Sequence, residues 1–399
     1  MRSFQILFLF LFFAIFILVA LGSLMNLKTI ASKRFFRIFR PVFQILHAGV
    51  LLMFLFLYVY PNQPREASNY PLYFYFNIFL LTLFIFNIPS AVSYLLHIIS
   101  AKNKPPLLPL CGLILSVGFA GGLIFGTLWG SRQIKTTRKE LQYRNLPADF
   151  DGFRMVQISD THFGGLIQPE KLIAKTKKII DETRPDILLF TGDLVNNFAV
   201  ELEGLESKLS LMTSNYESFA ILGNHDYGDY TNWENTEKKQ TNFDDILKAF
   251  RKSGFQLLRN GNTCIIKGND SIFLAGVENW GHPPFPQYAD LDAAIEGIPD
   301  DAFTILMTHD PAHWESQVAG KRNIELTLAG HTHGLQWGIK LAGIPFSLAK
   351  LTRKTWGGLY REGNSQLYVN TGLGIVGMPW RLDMPGEITV ITLKRSEID

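Results

Sequence analysis

Five short motifs in the 399-residue chain carry the side chains best suited to chemistry. They are Asp160-Thr161-His162, Gly192-Asp193, Gly223-Asn224-His225-Asp226, His309-Asp310 and Gly330-His331-Thr332-His333-Gly334. Together they offer carboxylates, one amide and several imidazoles, the hard and borderline donors that hold divalent transition metals. Two divalent cations at close range repel each other, so an anion must lie between them. Asp193 is the natural bridge, because a carboxylate can ligate both at once. Asp160 and His162 can converge on one metal from a strand end or the turn after it. Asn224 adds a neutral carbonyl oxygen, and His309, His331 and His333 add neutral imidazole nitrogens. Two such metals, two carboxylates and a bridging hydroxide leave a net charge of about +1, which suits a phosphate ester and in-line hydrolysis. His225 is left without a necessary ligand role. Asp226 beside it would raise its pKa, so that it protonates the leaving group or stabilises the transition state.

Taken singly, these motifs have plainer readings. Gly192-Asp193 and Gly223-Asn224-His225-Asp226 suit turns, and His309 alone would pass for a hydrogen-bonded core histidine. The ordered set does not reduce to that, because two histidines between glycines at 330–334 have no packing rationale. His313 follows His309 by one helical turn and reads as a supporting residue. His282, in Trp280-Gly281-His282-Pro283-Pro284, reads as part of a loop at the edge of the substrate site. Neither is needed to complete the metals.

The pattern resembles the calcineurin-like metallophosphoesterase superfamily over residues 151–399. The resemblance implies Asp160, His162, Asp193 and His333 on a first metal, and Asp193, Asn224, His309 and His331 on a second. It implies that His225 is catalytic with Asp226 in support, and that the ions are two divalent metals such as Mn, Zn or Fe. Every one of these positions holds the expected residue type, which argues against a decayed enzyme. The whole is similar to a bacterial, membrane-associated branch in which some members act on lipid-linked phosphodiesters or on UDP-diacylglucosamine. That similarity implies a bacterial inner membrane. One departure is Leu335 after Gly334, where that branch often has a second glycine.

The elements that must position these residues fall into two unlike parts. Residues 1–130 hold nine Lys/Arg and a single acid, Glu66, a net of +8. The stretch 131–150 is also basic, and the remainder carries about −8 within a whole-chain net of +3. An acidic catalytic part is a poor host for a nucleic-acid backbone, so no nucleic-acid partner is expected and a nuclease is disfavoured. Cys111 and Cys264 match neither a disulfide framework nor a metal-thiolate spacing.

Apolar runs at about 4–25, 41–60, 72–98 and 106–129 are long enough to span a bilayer as helices. The first run reads as a retained helix rather than a secretory signal. The fourth carries Gly118, Gly122, Gly126 and Gly130 on one small face fit for close helix packing. His97 reads as interfacial, and His47 is at most a weak functional candidate. The basic loops 26–40 and 99–105 point to the cytoplasm, which puts the catalytic part outside it. The basic stretch 131–150 pulls the other way. The expected organisation is an N-terminal all-α transmembrane bundle of four helices over 1–130, a basic linker over 131–150 and a catalytic domain over 151–399.

Within that domain, apolar runs at 153–158, 186–191, 218–222, 303–307 and 324–329 read as buried strands. Helical patterns at 169–182 and 243–253 separate some of them, giving an α/β layered domain. Each motif follows one of these runs directly, the strand-end placement typical of sites in α/β folds. The resemblance sharpens this to two packed mixed β-sheets flanked by helices, with the metals at the sheet edge. Beyond the last motif, apolar residues from Trp337 to Trp356 are punctuated by Lys340, Lys350, Arg353 and Lys354. They read either as a core hairpin or as a lip that dips among lipid headgroups, with Met378-Pro379-Trp380 adding to it. The resulting expectation is a membrane-anchored phosphodiesterase acting on a lipid or membrane-proximal phosphate ester. The alternatives are a pyrophosphatase of a nucleotide-linked lipid precursor such as UDP-diacylglucosamine, which would require a cytoplasmic domain, and a phosphate-binding membrane sensor or scaffold.

Overall fold

The computed structural model of the chain describes residues 2–59, 70–100, 105–166, 168–213, 215–281, 286–341 and 344–396. The chain divides into two compact units, Met1–Gly126 and Thr127–Asp399.

The first unit is helical: α1 Arg2–Ile30, α2 Lys33–Phe54, α3 Tyr70–Ser100 and α4 Leu107–Leu128. All four contain a stretch long and apolar enough to cross a membrane. Their outward faces carry large apolar side chains such as Leu18, Ile45, Leu95 and Ile114, while polar groups turn inward. Asn26 Nδ2 donates to the Pro109 carbonyl at 2.9 Å, Ser90 and Ser116 hydroxyls meet at 2.8 Å, and Asn87 Nδ2 lies 2.9 Å from His47 Nε2. His47 Nδ1 sits 2.8 Å from the Phe43 carbonyl. The imidazole is thereby used as a helix-to-helix tie, as expected where no water competes for polar groups.

Two expectations change here. The basic loop 26–40 is almost wholly helical: only Ala31 and Ser32 interrupt it, with Ser32 capping α2 through a bond from the Phe35 N–H. Within α4 the glycine face is packed only at Gly126. Gly118 and Gly122 have open space at the Cβ position, whereas Gly112 lies against Ser93 and Ser116, Leu123 and Gly126 are buried. Gly130 lies past the helix end in a short 3-10 turn. His97, in the last turn of α3, is buried.

The second unit begins with a further correction. The expected linker 131–150 contains strand β1, Ile134–Tyr143, which pairs in parallel with β14, Gly386–Arg395, over ten residues. Its alternation of exposed charges with inward Leu141 and Tyr143 is that of a charged edge strand. The first sheet then runs through β2 Arg154–Ile158, β3 Ile187–Thr191, β4 Glu217–Ile221 and β5 Gln256–Leu257, in the order β1-β14-β2-β3-β4-β5. Strands β2 to β5 are parallel and β14 is antiparallel to β2. The second sheet uses β6 Gly261–Lys267, β7 Asp270–Gly276, β8 Thr304–Met307, β9 Leu326–Ala329, β12 Gly358–Glu362 and β13 Ser365–Val369, in the order β12-β13-β9-β8-β7-β6. Its centre, β13-β9-β8-β7, is parallel. A separate hairpin pairs β10 Gly338–Leu341 with β11 Ile344–Ser347.

Residues alternate between two cores with the period of a strand. Met155, Ile187, Leu189, Phe219 and Ile221 face Ile305, Met307, Leu326 and Leu328 across the gap between the sheets. Val156, Ile158, Leu188 and Phe190 face the other way. There they are covered by α5 Pro169–Thr183, α6 Glu206–Thr213 and α7 Thr236–Lys252 through Ile173, Ile180, Leu209, Ile246 and Phe250. The second sheet is covered by α8 Leu291–Ile295 and the turn at Trp314–Val318. The result is two mixed sheets face to face with helices outside, as expected. Each buried Leu, Ile, Phe or Met stabilises this by roughly 1.5–3 kcal/mol when removed from water.

Candidate metal centre

All five motifs sit just beyond the carboxyl ends of parallel strands. Asp160 follows β2, Asp193 follows β3, Asn224 follows β4, His309 follows β8 and His331 follows β9. The two sheets therefore bring their strand ends to one edge. The motif glycines are explained by close approach. A Cβ on Gly192, whose φ is +93°, would lie 2.5 Å from the Gly223 nitrogen and 2.7 Å from His309 Nδ1. A Cβ on Gly330 would meet Ser159 and Asp160 oxygens at 2.1 and 2.4 Å. Asp160, His162, Asp193, His331 and His333 all have positive φ. For non-glycine residues this costs energy and concentrates at functional sites. Leu335, at φ +53°, stands in a conformation that glycine adopts more easily.

The donor atoms converge. His162 Nε2 lies 3.0 Å from His333 Nε2 and 3.4 Å from Asp193 Oδ2. His333 Nε2 lies 3.3 Å from Asp160 Oδ1. On the other side, His309 Nε2 is 3.1 Å from Asp193 Oδ2, and His331 Nδ1 is 3.2 Å from His309 Nε2 and 2.8 Å from Asn224 Oδ1. Asp193 thus touches both groups, as a bridge must. The far ring nitrogens fix the tautomers: His162 Nδ1 faces the Val195 carbonyl at 3.2 Å, and His309 Nδ1 faces the Thr191 carbonyl at 2.7 Å. A proton on each Nδ1 leaves the Nε2 lone pairs aimed at one another and at carboxylates. Such a convergence of lone pairs is stable only around positive charge. His309 registers the same demand. Burial pulls its pKa down, yet the charge and hydrogen bond of Asp193 and the charge of Asp160 push it up to about 10. Burial raises the Asp160 pKa, but the charge and hydrogen bond of His333 together with the charge of His309 hold the carboxyl below the usual carboxylate range. Divalent cations fit this donor set.

His225 is held differently. Its Nδ1 lies 2.6 Å from the Asn196 carbonyl, and its ring stacks on Tyr230 at 4.4 Å and meets the His162 ring edge-on at 4.8 Å. It is half-buried and also lies within reach of Asp193 and His162. Asp226 does not support the ring as expected. Its carboxylate instead accepts the backbone N–H groups of Asp193, Leu194, Val195 and Gly223, tying the loop after β3 to the loop after β4. His313 packs on Trp280 and bonds with Thr308 and Gln317, away from the metal cluster. His282 lies outside the described residues.

Several supports had no sequence signal. Glu201 accepts the N–H groups of Gly164, Asn196, Asn197 and Phe198, and so holds the segment whose carbonyl orients His225. Tyr230 Oη accepts from Asn224 Nδ2 at 2.7 Å, which turns Asn224 Oδ1 toward the cluster. Arg381, wholly buried, donates to the carbonyls of Thr371, Gly372, Gly374 and Met384, with Nη2 at 3.3 Å from His333 Nδ1. Burial lowers its pKa to about 10, against the charges of Asp160 and Glu387, so the guanidinium stays ionised. Glu387 accepts from Thr371 and Thr137 and so links Arg381's partner segment to β1.

Comparison with known proteins matches residues 153–335 to the model of the calcineurin-like phosphoesterase family. An uncharacterized metallophosphoesterase, YkuE, of Bacillus subtilis is 30% identical over 283 residues, covering 69% of this chain and 90% of that protein. This chain belongs to the calcineurin-like phosphoesterase family. It is therefore a metal-dependent hydrolase of phosphoric esters. A transmembrane protein with metallophosphoesterase domain from Danio rerio is 27% identical, covering 68% of this chain and 60% of its own length. A UDP-2,3-diacylglucosamine pyrophosphatase, LpxG, of Chlamydia trachomatis is 28% identical over 285 residues, covering 58% of this phosphoesterase and 81% of that protein. The four apolar helices and the transmembrane relative mark this phosphoesterase as a membrane protein.

Proposed function

We propose that this chain is a membrane-anchored phosphodiesterase of a lipid or membrane-proximal phosphate ester. Asp160, His162, Asp193 and His333 would hold one divalent ion, and Asp193, Asn224, His309 and His331 a second. The observation that carries this reading is the convergence of these donors on Asp193, with the His162 and His309 protons turned outward onto carbonyls. When bound, such ions supply an activated water and neutralise charge on the phosphate. The protein's own part is orientation. His225 presents Nε2, because Nδ1 is committed to the Asn196 carbonyl and the ring is clamped by Tyr230. A protonated Nε2 at that edge can donate to the departing oxygen. The backbone N–H of His225 donates to Asp193 Oδ1 at 2.9 Å, which keeps the histidine in register with the bridging carboxylate.

The lipid substrate is supported by the anchor and by the surface near the centre. Leu335, Leu351 and Met378 are exposed. Gln336 bonds to Val376 and Met378, and Ser347 Oγ donates to the Gly334 carbonyl, so their three segments lie together. Lys350 and Lys354 are exposed beside Leu351. Apolar tips among lysines suit an anionic lipid surface. Trp380 is buried and does not belong to this surface. A second reading, pyrophosphate cleavage of a nucleotide-linked lipid, is favoured by the likeness to LpxG and puts the catalytic unit in the cytoplasm.

The test is hydrolysis by detergent-purified full chain of an aryl phosphodiester, an aryl phosphomonoester and UDP-diacylglucosamine, with Mn²⁺, Zn²⁺ or chelator. Metal-dependent diester cleavage supports the main reading, and cleavage of the UDP-lipid alone supports the second. Monoester cleavage alone overturns both.

A further inference from the structure

The chain leaves α4 without a free tether. Thr127 and Leu128, the last residues of α4, already belong to the second unit. The residues that follow are held to that unit at three points. Gly130 lies so close to the Arg381 carbonyl oxygen that a Cβ there would stand 1.9 Å from it. The Gln133 carbonyl accepts from the Gly386 N–H at 2.8 Å, and the Arg132 carbonyl accepts from Lys175 Nζ at 3.2 Å. Gly130 is two residues past Leu128, so it lies at most about 7 Å from the helix end. The segment it packs on also serves the metal centre, because the Arg381 guanidinium stands behind His333.

The same joint gathers exposed apolar tips. Met378 is three residues from Arg381. Gln336 Nε2 donates to the Val376 and Met378 carbonyls, and the Leu382 N–H donates to the Gln336 carbonyl, which places Leu335 beside this segment. The bond from Ser347 Oγ to the Gly334 carbonyl brings in the turn that ends at Leu351. Charge is segregated with the tips. Segments 129–139, 335–354 and 376–384 hold nine Lys/Arg and a single acid, Asp383, although residues 151–399 carry a net of about −8. Arg132, Lys350 and Lys354 are exposed. Trp129 is exposed just past the helix end, the place of an interfacial aromatic.

We propose that this surface seats on the anionic headgroups of the bilayer that α4 crosses, so that the metal centre meets its substrate at the membrane. The inference deepens the reading above and rests on its membrane anchor. The headgroup layer is roughly 5–8 Å deep on each side of the hydrocarbon. A joint of about 7 Å keeps the Arg381 segment at that depth, whereas a flexible linker would let the unit swing clear. The apolar tips enter the interface and the basic side chains meet lipid phosphates. The acidic remainder of the unit is repelled by the same surface, which orients it with this side down.

The test uses the full chain, with Cys111→Ser and Cys264→Ser, in vesicles of phosphatidylcholine with or without phosphatidylglycerol. Spin labels are placed singly at Leu351→Cys, Met378→Cys and, as a control on exposed α7, Lys248→Cys. Collision with a neutral nickel chelate reports contact with water. In the anionic vesicles the labels at 351 and 378 should be shielded severalfold relative to 248. Arg132→Gln with Lys354→Gln should lower the docked-to-undocked ratio by about fivefold for each charge removed, and high salt should act likewise. Labels at 351 and 378 as open to nickel as the control overturn the proposal. Equal shielding in both vesicle types, unchanged in the double variant, overturns the anionic partner and the proposal with it. Metal-dependent cleavage of an aryl diester, measured in the same vesicles, separates the two readings. Cleavage with the labels in water overturns this inference alone, and shielded labels without cleavage support it while overturning the proposed activity.

Discussion

The two halves of the metal centre are braced by opposite chemistries. The half from the first sheet, with Asp160, His162, Asp193, Asn224 and His225, is held by buried carboxylates. Asp226 and Glu201 accept the backbone N–H groups of the loops after β3 and β4. The half from the second sheet, with His309, His331 and His333, is held by guanidiniums. Arg381 gathers carbonyls behind His333, and Arg353 stands at His331. The difference follows from what each loop leaves unpaired. Tight turns that point N–H groups inward need acceptors, and loops that turn carbonyls inward need donors. It also sets polarity: the acids gather around the loops of the first sheet, and the guanidiniums stand behind the histidines of the second.

The largest effect should come from the residue both halves share. Asp193→Ala is expected to lower metal content to less than one ion per chain and to abolish turnover, measured by elemental analysis and diester hydrolysis. Full occupancy in that variant would show that the halves bind metal independently. His225→Ala should keep both metals yet lower kcat by roughly 10²–10⁴-fold, the usual worth of a positioned acid or base. Loss of metal there would make His225 a ligand of the first-sheet half instead.

The bracing residues should separate the halves. Asp226→Ala strands several buried N–H groups at a cost of about 1–3 kcal/mol each. It should therefore lower the thermal midpoint of the catalytic unit before it changes metal affinity. Arg381→Gln is expected to weaken one of two metal-binding steps by about 10–100-fold, as for other groups behind metal ligands. Titration calorimetry that showed both steps weakened equally would remove the distinction. Tyr230→Phe, which deletes the acceptor for Asn224 Nδ2, should cost about 1 kcal/mol in metal affinity and leave the fold intact by circular dichroism.

Much of the centre is legible in the residues alone, because metal chemistry demands particular side chains and strand ends demand apolar runs before them. The seven candidate ligands and the strands preceding them follow from that local logic. Strand β1 does not. Its basic, polar run reads as a linker until β14, some 250 residues away, supplies its hydrogen bonds and buries Leu141 and Tyr143. Asp226 shows the same limit at short range. Adjacency suggested that it serves His225, but the turn directs its carboxylate to the N–H groups of neighbouring loops.

By itself the sequence determined the two-part plan, the apolar helices, the donor types and their order, since each depends on local composition or spacing. Only the tertiary structure decided which nitrogen of each histidine faces the centre, which carbonyl holds His225, and which small residues of α4 pack. It also decided that Arg381, Glu201 and Tyr230 matter. Each of those depends on which buried group lies opposite, and no one-dimensional pattern records a partner brought near by two sheets closing on each other.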